Sequence, residues 1–129
     1  MFYAVLDART RTLQYESAGH CFPLLVHGNG EVEFLKASSG VLGLFSHWTY
    51  SDHELTLAAG DVLVIVTDGV LDAENAKEEE FGYRRLIDSV MASRADGADG
   101  IRKRLVEDVM TFCGGLLQDD VSLIVVTVD

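Results

Sequence analysis

The chain has 129 residues, a formal net charge of −11 and 48% hydrophobic residues. That length suits one globular domain with a real core. The acidic balance, with no Lys/Arg stripe, excludes a phosphate-backbone (nucleic acid) binder and makes an anionic membrane surface a poor partner. No apolar run approaches the roughly 20 residues needed to span a bilayer. The start, Met1-Phe2-Tyr3-Ala4-Val5-Leu6-Asp7, has neither the basic region nor the long apolar stretch of a signal peptide, so a cytoplasmic location is expected. Cys21 and Cys113 are far apart and fit no Cys/His metal spacing; two buried free thiols are the simplest reading.

In chain order, the first half reads as consecutive strands. Residues 2–8 carry Phe, Tyr and Val, and Arg9-Thr10-Arg11 makes a tight connection into 12–17, where Leu13 and Tyr15 alternate with polar positions. After Ala18-Gly19-His20 a third strand is expected over 22–26. His27-Gly28-Asn29-Gly30 is a hairpin turn signal, followed by an alternating strand over 31–36. Ser38-Ser39-Gly40 and Gly43 punctuate a loop, a fifth, irregular strand is expected over 48–57, and Ala59-Gly60-Asp61 turns into a sixth over 62–67. The period then changes. Residues 81–91 have apolar side chains three and four apart, as in an amphipathic helix. Residues 94–100 read as a polar break with two glycines. Ile101, Leu105, Val109 and Phe112, widened by Val106 and Met110, predict a second helix ending before Gly114-Gly115. The last strand is expected over 121–128.

Hairpin-linked strands, then two helices, then a returning strand indicate an α+β fold with a mainly antiparallel sheet. The near-continuous apolar strands 62–67 and 121–128 are expected to be central and buried on both faces. Each carries an acidic site at one end: Thr67-Asp68-Gly69 closes the first, and Asp119-Asp120 opens the second. If the two strands pair antiparallel, both acidic sites fall at the same sheet edge. Converging carboxylates there suit a hard divalent cation. Gly69 lets the backbone turn sharply after Asp68, and adjacent aspartates repel unless solvated or compensated by a cation. Taken singly, each site also reads as ordinary turn chemistry.

The ordered set Asp7 to Tyr15, Ala18-Gly19-His20, Gly40-Val41-Leu42-Gly43, Leu57 to Asp61, Thr67-Asp68-Gly69-Val70, Phe81-Gly82 and Gln118-Asp119-Asp120-Val121-Ser122 resembles the SpoIIE/RsbU branch of the metal-dependent protein phosphatases (the PPM, or protein phosphatase 2C-like, family). The resemblance covers nearly the whole chain. It implies an antiparallel β-sandwich flanked by helices, with two Mn²⁺ or Mg²⁺ ions at one end that activate water for attack on phosphoserine or phosphothreonine. Asp68 and Asp119 match the family's metal-binding aspartates, and Asp120 matches their neighbour, usually Asp or Asn. Gly69 and Asp72 are further candidates at the metal or behind its ligands. The implied substrate is a phosphorylated regulatory protein in bacterial signal transduction, such as an anti-sigma factor antagonist.

The family also has an N-terminal half, with an Asp bridging the two metals and an Asp-Gly whose carbonyl is a ligand. Nothing in 1–129 matches these, since Asp7 falls at a turn. The resemblance therefore implies that 1–129 is one partial phosphatase domain, its N-terminal portion absent, and that alone it has little or no activity. Missing strands imply open edges and a homo-oligomer. A non-catalytic phosphatase-like interaction module is the alternative. A receiver domain fails on the order of strands and helices, and no P-loop occurs. His20 is expected to be structural. His27, His47 and His53 show no ligand spacing, Asp72 and Glu74 read as solvated loop with a water-mediated place at the metal as the alternative, the run Glu78-Glu79-Glu80 as solvated surface, and Phe45 and Trp48 as core.

Overall fold

The computed structural model describes residues 1–36, 40–44 and 46–129. It divides into two compact units, Met1–Asp61 with Val128–Asp129, and Val62–Thr127. The loop expected at Ser38-Ser39 and the core position expected for Phe45 lie outside the described residues.

In the first unit, β1 (Phe2–Asp7), β2 (Thr12–Ser17) and β5 (His53–Thr56) form an antiparallel sheet in that spatial order. Phe2 pairs with Ser17 and Asp7 with Thr12, while Tyr15 pairs with His53. Asp7 Oδ1 accepts the Arg9 amide at 2.8 Å, which closes the β1–β2 turn. Across the sheet, Tyr15 lies 5.8 Å from Phe2 and 5.4 Å from His53 between ring centroids. Burial, reinforced by nearby Glu33 and Glu16, pushes the Tyr15 phenol above its usual pKa. β3 (Leu24–Val26) and β4 (Val32–Phe34) make a hairpin. Its turn is the expected one: Gly30 takes φ 92°, and its amide donates to the His27 carbonyl at 2.8 Å. Leu13, Leu24, Leu25, Val26, Leu35 and Leu57 fill this unit's core.

Four strands are shorter than expected by two residues or more, among them the last, which spans only Leu123–Thr127 of the expected 121–128. β3 begins only after Pro23, which has no N–H to donate to a ladder. β4 stops at Phe34. The strand expected over 48–57 reduces to His53–Thr56, and Trp48 is 41% exposed rather than core, its ring packed over Gly40.

The second unit contains β6 (Val62–Val66), a single helical turn α1 (Asp68–Leu71), α2 (Gly82–Ser93), a 3-10 turn (Arg94–Asp96), α3 (Gly97–Phe112) and β7 (Leu123–Thr127). The α2 and α3 stripes meet through Leu86, Val90, Ile101, Leu105 and Val109, all buried. Phe81 and Phe112 meet edge to face at 5.5 Å, and the Arg85 guanidinium lies 4.4 Å over Phe112. The break expected over 94–100 is only the 3-10 turn, because Gly97 at φ 70° absorbs the reversal and α3 starts at once. Its first turn carries Asp99, favourable at a helix N-terminus. β6 and β7 pair antiparallel, Val62 with Thr127 through Val66 with Leu123. β6 is buried as expected, but β7 is not: Ile124 is 59% exposed, and among the described residues β7 pairs with no strand except β6.

Asp61, read from the sequence only as part of a turn, is 2% exposed. Its two carboxylate oxygens accept the amides of Gly28 at 2.9 Å and Ala58 at 2.8 Å, and His27 Nδ1 lies 3.6 Å away. It ties the β3–β4 turn to the connection after β5. Asp61→Ala strands both amides and is expected to lower stability by about 2–4 kcal/mol; Asp61→Asn, which keeps one acceptor, loses less. Urea unfolding checks this, and an unchanged midpoint for Asp61→Ala contradicts it.

Candidate metal centre

The β6–β7 register decides where the two acidic segments fall. Val66 pairs with Leu123, so the residues that follow β6 lie opposite those that precede β7. The ladder continues one step beyond the strands, where the Thr67 amide donates to the Ser122 carbonyl at 3.0 Å. The Thr67 side chain then extends it. Oγ1 accepts the Ser122 amide at 3.0 Å and donates to the Asp120 carbonyl at 3.2 Å, with the Ser122 carbonyl at 3.4 Å as a second acceptor.

Beyond Thr67 the chain winds into α1, with the Val70 amide on the Thr67 carbonyl at 3.0 Å and the Asp72 amide on the Asp68 carbonyl at 2.7 Å. Gly69 is buried in this turn and is not among the glycines with positive φ. Its role is therefore not the sharp reversal expected from the sequence. A Cβ built there would lie 2.3 Å from the Asp120 carbonyl oxygen and 2.9 Å from its carbon. No side chain fits, so the glycine is what allows the Asp119-Asp120 segment to lie against α1.

Asp68 and Asp119 are held by the same local device. Asp68 Oδ1 accepts the Gly69 amide at 3.1 Å, and Asp119 Oδ1 accepts the Asp120 amide at 2.7 Å. Each keeps its second carboxylate oxygen for solvent or a cation. Asp68, Asp72, Asp119 and Asp120 are all exposed. The structure thus brings the Thr67-Asp68-Gly69 and Asp119-Asp120 segments together, with Asp72 one turn further along α1. Exposed carboxylates that leave room for water suit Mg²⁺ or Mn²⁺. Among the described residues, no group of three or more His, Cys, Asp or Glu side chains is placed to hold an ion. The residues fit part of a hard-cation site.

The family model for stage II sporulation protein E (SpoIIE) matches residues 1–129. The chain belongs to the SpoIIE family. It is 30% identical over 129 residues to the phosphoserine phosphatase RsbU of Bacillus subtilis, covering 97% of this chain and 37% of RsbU. Its fold is that of the SiaA-PP2C domain of Pseudomonas aeruginosa, with a TM-score of 0.84 at 23% identity, covering 99% of this chain and 51% of that one. The Mn-presoaked phosphatase domain of SpoIIE from Bacillus subtilis gives 0.77 at 19% identity, covering 100% and 56%. The α+β fold of antiparallel sheets and helices is thus the phosphatase 2C-like fold expected of a SpoIIE-family chain. The chain spans about a third of RsbU's length and about half of each of these structures. No described helix is long and apolar enough to cross a membrane.

Two contributors to this SpoIIE-family edge escape sequence reasoning. One is the Thr67 hydroxyl. The other is Glu74, read as solvated loop, whose Oε2 accepts Gln118 Nε2 at 3.0 Å and so ties the loop after α1 to the segment before Asp119. The partners are 44 residues apart, and no periodicity or motif signals the pairing. The loop itself is closed by the Glu74–Glu80 bridge and by Asn75, whose side chain holds Glu79. His20, expected to be structural, donates through Nδ1 to the Cys21 carbonyl at 2.8 Å.

Gly69→Ala forces the Asp120 carbonyl away from α1. The expected cost is about 1–3 kcal/mol, together with a shift of residues 119–122. A thermal melt and amide chemical shifts check this; a variant with wild-type melting and unshifted 119–122 amides contradicts it.

Proposed function

We propose that this chain is the C-terminal part of a metal-dependent serine/threonine phosphatase domain, in which Asp68 and Asp119 are ligands to Mn²⁺ or Mg²⁺. The observation that carries the reading is the close approach of the Asp120 carbonyl to Gly69, which leaves room for two carboxylate-bearing segments to meet at one end of the β6–β7 pair. The local bonds to the following amides orient Asp68 and Asp119 so that each offers one oxygen outward. Asp120 and Asp72 add negative charge nearby, and would act on a cation through its waters rather than as direct ligands. When bound, the ions supply an activated water and neutralise phosphoryl oxygens during in-line attack. The chain's own residues bind and orient; no side chain here is assigned as nucleophile or proton donor.

Two aspartates hold one hydrated ion weakly, and they do not fix two ions at the ~3.5–4 Å spacing of two-metal hydrolysis. Residues 1–129 alone are therefore proposed to have little or no phosphatase activity. The substrate class is a phosphorylated regulatory protein, consistent with the likeness to RsbU, and the proposed location is the cytoplasm. The exposed β1 residues Tyr3, Val5 and Leu6 and the open side of β7 support association of isolated chains. A non-catalytic interaction module is the second reading. The small ligand set among the described residues favours it, and the joined acidic segments weigh against it.

The test is a chimaera in which this chain replaces the matching part of RsbU, assayed on a phosphoserine peptide with Mn²⁺. The expected result is Mn²⁺-dependent turnover that falls by on the order of 100-fold or more with either Asp68→Asn or Asp119→Asn, and near-background turnover for 1–129 alone. A folded chimaera without activity supports the interaction module. Full turnover with Asp119→Asn contradicts the ligand assignment, and full turnover by 1–129 alone contradicts the proposed inactivity of the isolated chain.

A further inference from the structure

We infer that Thr67 is a positioning residue: its hydroxyl sets the Asp119-Asp120 segment relative to Asp68. The inference rests on the metal-site reading above and assigns a role to a side chain that would not itself touch the ion.

A threonine hydroxyl has one proton to donate and lone pairs to accept. Thr67 uses both on one stretch of chain, accepting the Ser122 amide and donating to the Asp120 carbonyl. With the Thr67 amide on the Ser122 carbonyl and that carbonyl also within 3.4 Å of the hydroxyl, this single residue makes four contacts to residues 120–122, three of which need the hydroxyl. That stretch has little else to hold it. Residues 116–120 are exposed and outside helix and strand. The bond of Asp119 to the next amide fixes its rotamer and not its distance from Asp68. The glycine at position 69 removes an obstacle, but supplies no attraction. The attraction across the gap is the Thr67 hydroxyl, reinforced further out by Gln118 on Glu74.

Geometry at a metal is sensitive to such supports, and loss of a group behind the ligands typically lowers affinity by roughly 10–100-fold. Thr67→Val isolates the hydroxyl. Valine keeps the shape and the β-branch, and the exposed Asp120 carbonyl and Ser122 amide turn to water. Thr67→Ser keeps the hydroxyl without the methyl group.

The experiment uses residues 1–129, Mn²⁺ as the probe and two readouts. Free Mn²⁺ measured by electron paramagnetic resonance gives affinity; backbone relaxation without metal gives the order of residues 119–122. The expected result is an affinity about 10-fold or more weaker for Thr67→Val, lower order parameters over 119–122, and recovery of both in Thr67→Ser. Wild-type affinity in Thr67→Val overturns the inference, as does a serine variant as impaired as the valine. If the wild-type chain takes up no Mn²⁺, the ligand assignment fails, and order parameters decide Thr67 alone: unchanged order over 119–122 in Thr67→Val overturns its role.

Discussion

The acidic edge depends on one close approach, the Asp120 carbonyl against the α-carbon of Gly69. A side chain at position 69 would overlap that oxygen, and the overlap has no flexible partner to give way, because the obstructing atoms are backbone. The β6–β7 register and the Thr67 hydroxyl bring the segments together, and this contact lets them close. The turn of α1 brings Asp68 out of the strand direction, the incoming segment lies across it, and Thr67 fastens the two from below. A glycine chosen for turning would be marked by a positive φ. This one is chosen for the space it leaves.

The contact also explains why negative charge accumulates where it does. Strand pairing fixes the register by backbone hydrogen bonds and by the burial of β6, so the chain ends of the pair must coincide. Bringing the Asp68 and Asp119-Asp120 segments together costs electrostatic repulsion in a protein already at −11. Their exposure to water reduces that cost. The first unit shows the opposite solution for a carboxylate. Asp61 is buried, uses both oxygens on backbone amides and holds two turns together, with no oxygen left over for an ion.

Much of this was legible in the sequence, for identifiable reasons. The strands over 2–8, 12–17 and 62–67 and the two helices follow from apolar periodicity, and the β3–β4 turn from His27-Gly28-Asn29-Gly30. The pairing of 62–67 with 121–128, and so the meeting of the acidic segments, follows from two apolar runs with matching acidic ends. The errors have physical causes too. The exposure of β7 is not encoded in its composition, since Ile124 is apolar whichever way it faces. The polar stretch 94–100 conceals a helix start because Gly97 reverses the chain within one residue. The trimmed strand at His53–Thr56 reflects ladder partners present for only four residues. Side-chain bonds across long sequence separations, Thr67 to Asp120 and Glu74 to Gln118, leave no periodic trace, and these are the bonds that shape the candidate site.

The central claim is that the Asp68 and Asp119-Asp120 segments share one cation. Amide line broadening by Mn²⁺ tests it most directly, because the paramagnetic effect falls off steeply with distance and needs no activity. With Mn²⁺ added to residues 1–129 well below one equivalent, the account predicts that amides of residues 67–72 and 118–122 broaden together. Those of the acidic run Glu78-Glu79-Glu80, which the Glu74–Glu80 bridge places beside Gln118, should broaden later and less. Broadening confined to one of the two segments, or appearing first at the glutamate run, would contradict a shared site.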